Sequence, residues 1–166
     1  PMSEPDITLI LSDLHLGGGA ADAGDDHVHQ GAPLARLIAE QTASPEGQAG
    51  RLELFFNGDF LEFAQANQPA FSHRSDSAWC TQSESMAKLE TILAGHANVF
   101  QALALCQQAG NRVTLAAGNH DVDLAWPQVQ QRLREAAGPG LRFEIGQTWV
   151  ARHGGALQIG HGHQQD

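Results

Sequence analysis

Four short clusters of metal-ligating residue types stand out, three at the ends of apolar runs and one at a glycine pair. Asp13-Leu14-His15 places a carboxylate and an imidazole two residues apart. In an extended segment, alternation turns both to one side, where they can grip a single cation. The same triplet also occurs as plain surface sequence. Asn57-Gly58-Asp59 offers a carboxylate after a glycine that lets the backbone turn closely around an ion. One carboxylate can bridge two metals through its two oxygens, although a type I′ or II turn is the competing reading. Gly118-Asn119-His120-Asp121 supplies a neutral oxygen ligand, an imidazole able to donate a proton, and a carboxylate able to orient that imidazole. A helix N-cap at Asn119 or Asp121 is its alternative. Gly160-His161-Gly162-His163 carries two histidines separated by glycine, a good spacing for metal ligands. A buried histidine satisfied by a carbonyl is the ordinary alternative.

The apolar patterning says which elements present these clusters. The run from Ile7 to Leu11 reads as a strand buried on both faces, ending at Ser12-Asp13, and Leu52 to Phe56 reads as a second one. Val113 to Ala117 is a third, running into Gly118. A glycine-rich segment, Gly17 to Gly24, follows the first cluster; Pro33 then opens a helix with Leu34, Leu37 and Ile38 on one face. Apolar residues from Met86 to Leu105 recur at helical intervals with a break near Gly95, and Trp126-Pro127 starts a further helix closed by Gly138-Pro139-Gly140. Leu141 to Ile145, Thr148 to Arg152 and Ala156 to Ile159 read as short strands, with His153-Gly154-Gly155 as a hairpin turn. This order predicts a single α/β domain whose second sheet is at least partly antiparallel. Ligands in such sheets bind beyond the carboxyl ends of the strands.

Composition bounds the function. The chain has 166 residues, with 9 Lys+Arg against 19 Asp+Glu and a formal charge of −10, opposite to the footprint of sequence-independent nucleic-acid binding. A polyanionic substrate would need metal help. Apolar runs are far shorter than the roughly 20 residues of a bilayer span, and the first residues are acidic, unlike a secretory signal. Cys80 and Cys106 form no framework and read as structural thiols, which favours a reducing, cytoplasmic setting. Asp25, Asp26, His27 and His29 read as a solvated loop, and Phe60 and Phe63 as core or pocket wall.

Taken together, in order and in strand context, the four clusters make the chain similar to the calcineurin-like metallophosphoesterase superfamily. The resemblance spans nearly the whole chain. Its Asp-Leu-His-Leu-Gly start and His-Gly fourth motif lean towards the branch of the UDP-2,3-diacylglucosamine diphosphatases, which typically carry Arg where this chain has His120. The resemblance implies a sandwich of two mixed β-sheets flanked by helices. It also implies two divalent ions, of which Mn, Fe, Zn and Co all suit oxygen and imidazole ligands. In that family the first Asp and His hold one metal, the second Asp bridges both, and the Asn and a later His hold the second. Carried over, these become Asp13 and His15, Asp59, then Asn119 and His161. His120 takes the role of the non-ligand histidine that contacts phosphate or leaving group. The implied activity is hydrolysis of a phosphate ester or diphosphate, in a small-molecule or lipid-linked substrate, by a hydroxide bridging the two ions. Glu62 stands where the family usually has Asp. Gly160-His161-Gly162-His163 matches the family's final His pair by letter, but it follows a hairpin strand directly. The expectation is therefore that His161 is the fourth motif and that the chain stops before the fifth. The rival from another class is a catalytically inactive fold serving as a protein-binding scaffold.

Overall fold

The computed structural model describes residues 5–22, 24–25, 27–66 and 81–162; Asp26, Cys80 and His163 lie outside the described residues. Four strands, β1 (Ile7–Leu11), β2 (Leu52–Asn57), β3 (Arg112–Ala116) and β4 (Arg142–Glu144), form one parallel sheet in the order β1-β2-β3-β4. Parallel neighbours require crossovers. Those between the strands contain the helices α1 (Gly31–Thr42), α2 (Pro45–Gln48), α3 (Gln82–Gly95), α4 (Ala97–Gln108) and α5 (Pro127–Ala137). A second, antiparallel pair consists of β5 (Val150–Arg152) and β6 (Leu157–Ile159), joined by a short turn through His153. Among the described residues the second sheet is antiparallel, as the sequence predicts, and the first is wholly parallel where the resemblance implied a mixed sheet. α5 carries the chain back before β4, which therefore adds parallel to β3, whereas only a turn separates β5 from β6.

The local signals act as chemistry dictates. α3 begins with a capping box in which Thr81 and Glu84 satisfy each other's backbone N–H groups. α5 begins with Pro127 and ends at Gly138, whose φ of 115° suits glycine alone. Leu52, Leu54 and Phe56 of β2 and Val113 and Leu115 of β3 meet Leu34, Ile38, Ile92, Leu103 and Leu133 from the helices. Each such side chain, fully buried, is worth about 1.5–3 kcal/mol relative to exposure. Phe60 and Phe63 belong to this core, as the sequence suggests. On the opposite face Phe55 and Ala116 pack against Val150 and Ile159, so the β5–β6 ribbon covers the middle of the sheet.

Beneath the ribbon sits a polar network. Glu53, fully buried on β2, pairs with Arg152 at 2.9 and 3.1 Å and accepts a hydrogen bond from Thr114 at 2.8 Å. β1 forms the sheet edge, and the turn of the ribbon meets it where His153 faces Thr8. Leu9 and Leu11 pack on the helical core, but Ile7 and Ile10 are exposed, so β1 is not buried on both faces. Among the described residues no single helix is long and apolar enough to cross a membrane; α3 and α4 reach that length only together, and they meet at 86°.

Candidate metal centre

The carboxyl ends of β1, β2 and β3 and the end of β6 converge, and backbone hydrogen bonds tie their loops to one another. His15 N–H donates to the Asp59 carbonyl at 2.9 Å, Leu16 N–H to Phe60 at 3.0 Å, and Glu62 N–H back to Leu16 at 2.9 Å. The first two loops thus stay paired beyond their strands. Asn57 links further loops: its carbonyl accepts from Ser12 Oγ at 3.0 Å and faces His161 Nδ1 at 2.8 Å, while its amide donates to the Gly160 carbonyl at 3.2 Å.

Two groups of side chains here have ligand atoms close enough for one ion each. They are His15, Asp59 and His120, and Asp13, Asp59 and His161. Asp59 belongs to both. Its Oδ2 lies 3.3 Å from His161 Nε2 and 3.9 Å from His15 Nε2, and its Oδ1 accepts the His120 N–H at 2.9 Å. Five of the expected residues, Asp13, His15, Asp59, His120 and His161, are therefore brought together. Their partition differs from expectation: Asp13 and His15 fall in separate groups, and His120, expected only to act on substrate, falls in a ligand-capable one. Asn119 is exposed on the same loop.

Backbone conformation marks the same positions. Four non-glycine residues among those described have positive φ, and three of them are Asp13 (56°), His15 (47°) and Asp59 (51°). Left-handed conformations at such residues cost of order 1–3 kcal/mol each and cluster at functional sites. They also correct the expected geometry of the first cluster, because Asp13 and His15 reach the site through left-handed turns and not through strand alternation. The flanking glycines admit the ligands. A Cβ at Gly58 would lie 2.5 Å from the His161 ring, and one at Gly118 would lie 2.1 Å from Asp59 Oδ1.

The imidazoles are held from behind. Buried Glu62 faces His15 Nδ1 at 2.7 Å and His120 Nδ1 at 3.0 Å, while His161 Nδ1 faces the Asn57 carbonyl. When Nδ1 carries the proton in such a bond, Nε2 is left with its lone pair free, the form a metal requires. Glu62 therefore orients two of the site's imidazoles. Asp121, expected to orient His120, instead accepts backbone N–H groups: Gly118 at 2.5 Å, Phe60 at 3.0 Å and Asp59 at 3.4 Å. It fixes the second loop against the third. Burial pushes its carboxyl up to about 6. His120 is raised above its ordinary value, chiefly by the hydrogen bond to Glu62.

The segment after the first cluster also departs from expectation. Asp25 is buried, and the His27 ring stacks on His15 with centroids 5.2 Å apart and planes at 25°. Among the described residues of the expected solvated loop, His29 is exposed. His153 is the turn residue the sequence suggests, and its Nε2 lies 3.0 Å from Thr8 Oγ1. Cys106 is a buried free thiol, raised in pKa chiefly by burial. No family model matches the chain, and no curated protein sequence is significantly similar to it.

Proposed function

We propose that the protein is a metallophosphoesterase that hydrolyses a phosphate ester or diphosphate at a pair of divalent ions. A parallel sheet with helices on one face and an antiparallel ribbon on the other suits the layered fold of that family. The observation that carries the proposal is the sharing of Asp59 between two three-residue groups, with His15, His120 and His161 each engaged through Nδ1. Oxygen and imidazole donors in this mixture fit Mn, Fe, Zn or Co. Asp13, Asp59 and His161 would hold one ion, and His15 and Asp59 the other, with His120 at its edge. When bound, such a pair supplies charge to clamp the phosphoryl oxygens and lowers the pKa of a water nucleophile.

The chain's own residues supply the rest. Asp59 fixes the midpoint of the site through its carboxylate. Glu62 accepts from Nδ1 of His120, favours the protonated ring, and leaves Nε2–H to donate to the leaving oxygen. The overall charge of −10 repels phosphates at long range, so affinity for such a substrate depends on loading the centre. The test is a Mn2+-loaded assay on a phosphomonoester, a phosphodiester and a diphosphate, with Asp59→Ala in parallel. Hydrolysis of at least one substrate by the wild type, lost in the variant, is expected. Two bound ions with no turnover of any of them would favour the scaffold reading.

A further inference from the structure

Between Leu16 and α1 the chain crosses the junction of α3 and α4, and glycines let it come unusually close. Gly19 has φ 67°, and a Cβ on Gly95 would lie 2.5 Å from the Gly18 carbonyl oxygen. Asp25 gathers the segment. Its buried carboxylate accepts the Gly19 N–H at 2.6 Å and the His27 N–H at 2.8 Å, and it faces buried His96 at the helix junction at 3.9 Å. The described residues of the segment are thus anchored on the core, and His27 lays its ring on His15.

We propose that His27 is a positioning residue for the metal centre: its ring holds the His15 imidazole in the orientation in which Nδ1 meets Glu62 and Nε2 faces Asp59. The inference rests on the metal-centre reading above. His15 needs such support because its backbone is left-handed and its ring can rotate about the side-chain bonds. Glu62 fixes one ring atom. His27 fixes one face, and the His120 ring closes from an edge-on position at 4.7 Å and 90°. The contact is made by the ring and not by a hydrogen bond, since His27 Nδ1 is buried with no hydrogen-bond partner among the described residues. Any aromatic ring of similar size should therefore serve. Phenylalanine should serve best, because it leaves no buried polar atom unpaired.

The test uses the full chain with His27→Phe, His27→Ala and His27→Gln. Imidazole nitrogen NMR of the metal-free protein reads the His15 tautomer, and Mn2+ titration calorimetry reads the two ions. In the wild type and His27→Phe, His15 should hold one Nδ1–H tautomer. In His27→Ala and His27→Gln it should become a mixture, and one of the two Mn2+ affinities should fall roughly two- to tenfold, the scale of an aromatic contact. The other ion, held by Asp13, Asp59 and His161, should be unaffected. An unchanged His15 tautomer and unchanged Mn2+ affinities in His27→Ala would overturn the proposal. So would rescue by Gln with failure of Phe, which would mean a hydrogen-bonding role. A wild type that binds no Mn2+, yet loses the His15 tautomer in His27→Ala, would contradict the metal-centre reading while upholding the positioning role.

Discussion

Glu62 shows how much one buried carboxylate can organise, since two imidazoles of the site depend on it. Truncating it frees both rings and leaves their Nδ1 atoms without an acceptor. Removal of such an outer partner typically costs 10–100-fold in metal affinity. Glu62→Ala is expected to weaken Mn2+ binding by about that factor in a calorimetric titration, with Glu62→Gln intermediate. His120 is a different case. His120→Ala should keep both ions and lower turnover by about 10²–10⁴-fold, the usual worth of acid–base catalysis. The loss should shrink for substrates with acidic leaving groups, which need little protonation. Equal losses across a leaving-group series would argue against proton donation, and loss of an ion would make His120 a ligand. At this scale the ligand-capable residues that converge were legible in the sequence because they sit in tight local clusters. Glu62's pairing with His15, the stacking of His27 and the backbone-holding role of Asp121 were not. Glu62 meets His15 across 47 positions of sequence, so no local spacing records the contact.

The elements divide the work between the two faces of the parallel sheet. One face makes an apolar core with the helices; the other meets the β5–β6 ribbon, which carries His161 to the site. The ribbon is locked by Arg152 on Glu53, a pair of which Glu53 is fully buried and Arg152 nearly so. Removing Arg152 leaves the buried Glu53 carboxylate without its counter-charge, which typically costs about 3–5 kcal/mol. Arg152→Leu should therefore lower the denaturation midpoint strongly, whereas Glu53→Leu with Arg152→Leu should recover much of the loss. Equal destabilisation by the single and double changes would show that the pair is not what holds the ribbon. The alternation of helices and strands was legible from periodicity, and so was the turn at His153. The partner of β4 was not, because a short strand after α5 reads the same whether it joins the first sheet or the second. The exposure of β1 was equally hidden: an apolar run does not say whether a neighbour covers both of its faces.

The whole molecule carries a formal charge of −10, and its centre concentrates carboxylates that share little space. Asp121 makes that crowding measurable. Its folded value of about 6 lies above the ordinary 3.8, so between those values the folded protein keeps a proton that the unfolded chain has released. Stability of the metal-free protein therefore falls as pH rises through this window, by about 3 kcal/mol from this group. His120 acts in the same sense at higher pH: the stability from its raised value is complete below the ordinary 6.5 and is lost as pH rises through the folded value. Urea unfolding from pH 4 to 7 should show the decline, and Asp121→Asn should flatten its lower part whatever its effect on absolute stability. A wild-type slope retained in Asp121→Asn would remove Asp121 as its source. If one carboxylate serves two ions, Mn2+ titration should find two ions in the wild type and a weakening of both in Asp59→Ala. Two ions retained at wild-type affinity in Asp59→Ala would show that Asp59 does not join the two sites.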